Sequence, residues 1–207
     1  HWARDDGDGD TTLRQRVLRC PVAGELDRSA ARRRNLLGNP FREYDEAGKL
    51  TLDAYDFRDN PTAKTRSPLA DDEVAGGPVD WSTGAGETLS GRESDLLSGR
   101  SYRVSLAYNA REQVTVRRYP ADVNGDRKEL RMRYSGVGNL VGIDLLSDLD
   151  SDDPDRESIV ETVGYDARGR RSFVAYGNDV MARYAYDDTT HRLRRLRTEE
   201  YTATGEH

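Results

Sequence analysis

The chain has 207 residues, of which 35% are hydrophobic and 34% charged, and its mean hydropathy is −0.89. That composition excludes a deep core of helices packed all round, and no stretch approaches the roughly 18 consecutive apolar residues of a membrane-spanning helix. With 38 acids against 32 bases the formal charge is −6, so there is no overall positive field to hold a polyphosphate backbone and nucleic acid is not expected as a partner.

The first residues, His1-Trp2-Ala3-Arg4-Asp5, lack the apolar core of a signal peptide, so this stretch itself carries no export address. The single cysteine, Cys20, excludes an internal disulfide framework and a thiolate metal cluster. Followed by Pro21, it reads as an ordinary thiol in a strand or turn, its reactivity undetermined. The basic residues divide into 29 Arg and only Lys49, Lys64 and Lys128, a skew that a GC-rich genome explains most simply.

Residues 1–34 read as a polar lead-in with one short helix, Ala30 to Leu37, capped by Asp27 or Ser29 and stopped by Gly38. The run Arg32-Arg33-Arg34 within it is read as a solvated face. Residues 35–66 hold a first pair of repeats. Residues 67–100 are a Gly/Ser/Asp-rich connection, either a loop or poorly formed strands, with Trp81 as a packing anchor. Residues 101–207 read as a hairpin series. Tyr102, Val104, Leu106 and Tyr108 fall on one strand face, and Leu130, Met132 and Tyr134 on another. The same parity continues through Ile159, Val163 and Tyr165 and through Val180, Ala182, Tyr184 and Tyr186. Asn124-Gly125 and Gly177-Asn178 sit where hairpin turns are needed.

Internal repetition is the strongest signal. Tyr44-Asp45-Glu46-Ala47-Gly48 and Tyr165-Asp166-Ala167-Arg168-Gly169 share the outline Tyr-Asp-x-x-Gly, and looser copies begin at Tyr55-Asp56, Tyr108-Asn109, Tyr134-Ser135, with Gly138, and Tyr186-Asp187. Each unit reads as a hairpin corner. A strand ends in Tyr, the Asp or Asn side chain accepts from turn amides, and Gly takes a positive φ before the next strand. Two copies are degraded, with Glu112 where a Gly is expected and Ser135 where an Asp is expected.

These residues resemble the tyrosine-aspartate (YD) repeats of the Rhs family, which includes the B and C components of insecticidal toxin complexes, bacterial polymorphic toxins and the animal teneurins. The block Asn35-Leu36-Leu37-Gly38-Asn39-Pro40-Phe41-Arg42-Glu43-Tyr44-Asp45, followed by Tyr55-Asp56-Phe57-Arg58-Asp59-Asn60-Pro61, is similar to a block of the bacterial toxin-type members. So is the stretch from Tyr165 through Ala175-Tyr176-Gly177-Asn178 to Tyr186-Asp187 and Arg192-Leu193. The resemblance implies an all-β, antiparallel YD-repeat hairpin spiral, a segment of a hollow shell that encloses a toxic polypeptide. It implies partners among other segments or subunits of such a toxin assembly, with an enclosed toxin polypeptide as a further one, and a place in an exported complex. The chain lacks the autoproteolytic Asp-Pro-containing motif of complete members and is too short to close a shell, so it is expected to be a slice of one.

No chemistry of its own is expected. The runs Asp5–Asp10 and Asp148–Asp153 do not meet the EF-hand pattern, since Thr11 and Val17, or Asp153 and Ile159, stand where Gly and Glu are needed. His1, His191 and His207 are scattered, with no i,i+4 partner for a zinc site. Gly136-Val137-Gly138 is an incomplete dinucleotide fingerprint. The reading is therefore a non-catalytic structural segment without catalytic residue, cofactor or metal. The alternative is a detached repeat module binding a cell-surface protein or glycan.

Overall fold

Strands of four to eleven residues must be turned back often, and in this chain each is turned back onto its predecessor. The computed structural model describes residues 2–5, 11–19 and 27–201. Cys20, His1, His207 and the acidic positions 6–10 lie outside the described residues. The chain divides into two compact units, His1–Leu106 and Ala107–His207.

In the first unit the strands are β1 (Trp2–Asp5), β2 (Thr11–Arg19), β3 (Pro40–Asp45), β4 (Gly48–Tyr55), β5 (Pro61–Pro68) and the greater part of β6 (Tyr102–Tyr108). Each pairs antiparallel with the one before it. Register places Phe41, Leu50 and Leu52 on one face and Tyr44 and Lys49 on the other, because side chains alternate along a strand.

Each of these faces is covered. Over the first lies helix α1 (Arg28–Arg33), and Ala31 and Leu36 pack with Phe41, Leu52 and Tyr55. Asp27 caps the helix by accepting from the Ala30 amide. The helix ends before Leu37 and Gly38, because Asn35 takes a left-handed conformation (φ 53°) and its side chain donates to the Tyr55 carbonyl (3.1 Å).

The stretch expected to be a loop or weak strands, 67–100, instead carries two helices, α2 (Asp71–Ala75) and α3 (Leu89–Leu96). A bridge between Leu69 and Leu97 closes the base of this excursion. It covers the second face, where Val79, Trp81 and Leu96 pack with Tyr44 and Leu69. Its glycines concealed the helices. What starts α3 is local, the Thr88 hydroxyl accepting from the Gly91 amide (3.1 Å), but what keeps it is tertiary burial of Leu96.

In the second unit β7 (Val114–Arg118), β8 (Glu129–Tyr134), β9 (Leu140–Ser147), β10 (Asp155–Tyr165), β11 (Arg171–Tyr176), β12 (Val180–Tyr186) and β13 (Leu193–Glu200) likewise pair antiparallel in chain order. Its apolar cluster is Val160, Val163 and Val174 with Ile143, Tyr165, Tyr176 and Tyr184 against them. The parity expected for Ile159, Val163 and Tyr165 fails at Ile159, while Val163 and Tyr165 share the apolar cluster. Register shifts between Ser158 and Val160 and between Val160 and Thr162 turn Val160 inward, leaving Ile159 37% exposed.

Candidate functional site: the tyrosine-aspartate corners

A five-residue turn repeats at 56–60, 109–113, 122–126, 135–139 and 166–170. In the Asp166 copy the Asp166 amide donates to the Arg170 carbonyl (2.8 Å) and the Gly169 amide donates to the Asp166 carbonyl (2.9 Å). The Asp166 carboxylate then accepts from the amides of Arg168 and Arg170, both at 2.9 Å. Asp56 accepts in the same way from Arg58 and Asn60, Asn109 from Arg111 and Gln113, and Asp122 from Asn124 and Asp126. The side chain satisfies amides that the ladder cannot reach.

The fourth position is left-handed in every copy: Asp59 (φ 63°), Glu112 (62°), Gly125 (90°), Gly138 (94°) and Gly169 (76°). The degraded copies therefore keep the backbone and change only its cost. Glu112 holds a conformation that glycine takes without strain. The shorter Ser135 hydroxyl reaches one amide, that of Asn139 (3.1 Å). The turn expected at Asn124-Gly125 is here, but sequence reading missed its Asp122 as a corner because no Tyr precedes it directly, although Asp-x-x-Gly was there to be found.

Two predicted corners differ. Asp45 pairs with Gly48 across a two-residue turn, accepts from the Ala47 amide (2.9 Å) and binds Arg66. At Gly48 φ is 117° and a Cβ would stand 2.3 Å from the Ser67 carbonyl oxygen, so glycine is required twice over. Asp187 heads a turn one residue longer, accepting from Thr189 and Thr190 (3.1 and 2.7 Å), with His191 left-handed (φ 59°). Gly177, expected in a turn, has a different reason: a Cβ there would lie 1.6 Å from the Ser158 carbonyl oxygen.

The tyrosines do a second job. Tyr55, Tyr134, Tyr165 and Tyr186 donate their hydroxyls to the carbonyls of Pro40, Val114, Leu140 and Arg171 (2.7, 2.9, 2.8 and 3.0 Å). Each acceptor is the first residue of the preceding strand, and Val114, Leu140 and Arg171 directly follow an earlier corner. The hydroxyl thus ties each turn to the previous turn on the same end of its sheet.

Side chains of the corners add to this row. Arg111 and Gln113 donate to the carbonyls of Gly136 and Gly138 (2.7 and 2.6 Å). Arg170 donates to the His191 carbonyl (3.3 Å) and stacks 4.2 Å over the Tyr186 ring. In the first unit Asn39 donates to Asp59 (2.7 Å).

Electrostatics follow the hydrogen bonds. The Arg170 amide and guanidinium hold the Asp166 carboxyl below its ordinary range, and the Thr190 amide and hydroxyl do the same for Asp187. Burial pushes Asp56 and Asp45 upward, but the Asn60 contacts and the Arg66 guanidinium respectively outweigh it, so both end lowered.

Tyr44 departs from the row. It is fully buried, its ring centroid lies 5.0 Å from that of Trp81, and its hydroxyl donates to Glu93 on α3. Burial and that bond push its phenol well above the ordinary tyrosine range. Lys49 pairs with the same carboxylate at 2.6 Å, and the Trp81 indole donates to the Asp45 carbonyl (2.9 Å). This polar pin between sheet and helix left no signal in the sequence, since Glu93 lies 44 residues from Lys49. Among the described residues no group of three His, Cys, Asp or Glu side chains is placed to hold a metal ion, and no helix is long and apolar enough to cross a membrane.

These features define an all-β chain of antiparallel hairpins closed by recurrent Asx corners. Its fold matches that of solved toxin-complex chains. Over 96% of its length it superposes on a chain of the TcdB2-TccC3 crystal structure, with a TM-score of 0.72 and 21% identity. It matches the Tc holotoxin pore of Photorhabdus luminescens at 0.71 and 22%, again over 96%, and TcdB2-TccC3 without its hypervariable C-terminal region at 0.70 and 22% over 95%. The chain spans about 8% of the length of each of these. No protein-family model and no curated protein matches the sequence. What the chain shares with these structures is its fold.

Proposed function

We propose that the chain is a non-catalytic structural segment of a YD-repeat shell within an exported toxin-delivery assembly. Its partners on this reading are other segments or subunits of that assembly, together with an enclosed toxin polypeptide. The observation that carries it is the recurrence of one corner, with its first side chain, an Asp, Asn or Ser, occupied by turn amides. A reacting site is needed once, whereas a scaffold element is needed wherever a strand turns back.

The test joins light scattering over a range of concentrations to an activity screen against hydrolase, nucleotidyl-transfer and glycosyl-transfer substrates. Strand edges left unpaired favour association, so concentration-dependent assembly without turnover is expected. A stable monomer throughout would favour the detached binding module instead. Turnover abolished by a single corner substitution such as Asp166→Ala, with the fold intact, would overturn the structural reading.

A further inference from the structure

The sheet of the second unit has two unlike faces. Leu130, Met132, Ile143, Val160, Val174 and Tyr184 belong to the apolar one. The opposite face is built from Glu129, Arg131 and Arg133 on β8, Asp144 on β9 and Arg156 on β10, in registers that set Arg118 beside Glu129 and Arg131 beside Asp144. The register shifts on either side of Val160 cancel in parity, so Thr162 and Gly164 continue this face onto Ala175 and Phe173, and Phe173 onto Arg183 and then Arg197.

Along it each carboxylate holds two guanidinium groups. Arg118 and Arg131 flank Glu129 at 2.6 and 2.7 Å. Arg133 and Arg156 flank Asp144 at 3.3 and 2.7 Å, and Arg183 and Arg197 flank Glu199 at 2.8 and 2.9 Å. Glu129 and Asp144 are 1% and 3% exposed, whereas the six arginine side chains are 47–64% exposed. The acids hold these guanidinium groups at the surface, and Arg133 also donates to the Glu161 carbonyl (3.1 Å). Two arginines per carboxylate give the face a surplus of positive charge on a chain that is acidic overall. Beside Arg183 lies a hollow of about 320 Å³ lined by Ser172, Phe173 and Met181.

We propose that this face is a docking surface for an extended acidic polypeptide segment carrying an apolar anchor residue. The arginines lie on successive parts of the sheet, Arg118 on β7, Arg131 on β8, Arg156 on β10, Arg183 on β12 and Arg197 on β13, so an extended segment crossing the strands meets them in turn. Bound guanidinium groups are preorganised for bidentate carboxylates, and the hollow takes the anchor. The hollow beside Arg183 favours a polypeptide with an apolar side chain over a polyphosphate, which has nothing to place there. The proposal does not rest on the shell reading, since a detached module could present the same face.

The test is fluorescence anisotropy of the full chain with a labelled peptide of about ten residues, alternating Glu and Ser around one Phe, long enough to cross the sheet. Binding that weakens with salt is expected. The pair Arg131→Glu and Arg156→Glu should weaken it at least about tenfold, and the milder pair Arg118→Gln and Arg156→Gln should weaken it too if reversal unfolds the unit. Arg103→Glu, on β6, should leave binding unchanged. Replacing Phe by Ser in the peptide should also weaken it. Absence of binding, indifference to either pair, or tighter binding of oligothymidylate or phosphatidylserine vesicles would overturn the proposal. Association and turnover are read separately, so their outcome does not decide this one.

Discussion

The two units use the same corners and protect their sheets differently. In the first, α1 and the excursion from Leu69 to Leu97 bury opposite faces of the sheet, and Tyr44, Leu36 and Trp81 are fully buried. In the second, the excursion has no counterpart among the described residues. The buried members of its apolar cluster are valines, and on its charged face arginines lie over the buried carboxylates of Glu129 and Asp144. Strand pairing and corners are therefore sufficient to shape a sheet, while helices decide whether its faces are satisfied within the unit.

The comparison breaks most readily at Trp81. Trp81→Ala should cost about 3–5 kcal/mol by emptying the centre of a core, whereas Val174→Ala should cost only about 2 kcal/mol. Denaturant unfolding followed by a probe in each unit would measure both. Equal losses would show that the two sheets are protected alike.

The glycines sharpen it next. Gly48→Val should lose at least about 2 kcal/mol, because strain at φ 117° adds to a collision with the Ser67 carbonyl. At Gly169 no atom stands within 4 Å of a Cβ, so Gly169→Val should lose about 1–2 kcal/mol from backbone strain alone. Thermal midpoints of the two variants give the order.

Acid should act on both units through their corners. The carboxyls of Asp45, Asp56, Asp166 and Asp187 lie below their ordinary value, so their contribution is whole above about pH 4 and is lost as pH falls through the folded values. Urea midpoints against pH should drop on that limb. Asp166→Asn, which keeps an acceptor as Asn109 does, should flatten the drop. The smallest effect is a gain: Glu112→Gly should add up to about 1 kcal/mol by relieving a left-handed glutamate, measurable as a raised midpoint.

What was legible in the sequence was whatever is decided within a few residues. The Tyr-Asp-x-x-Gly outline located the corners because acceptor, left-handed position and strand end all lie inside it. The helix at 89–96 was hidden, since its partners, Leu69, Tyr44 and Lys49, are supplied from other parts of the chain. The bulges of β10 were hidden for the same reason: register depends on two neighbours at once, and each shift reverses the face of every residue beyond it. The tyrosine-to-carbonyl ties, spanning 15 to 25 residues, needed the strand order before they could be seen.

The most direct test of the corner as scaffold is amide hydrogen exchange at Arg168 and Arg170 in Asp166→Ala against the unaltered chain. The account predicts faster exchange at both amides, spreading into the adjoining ends of β10 and β11, with the remaining strands of the sheet still protected. Unchanged exchange at Arg168 and Arg170 would contradict it, because the carboxylate would then hold nothing in place.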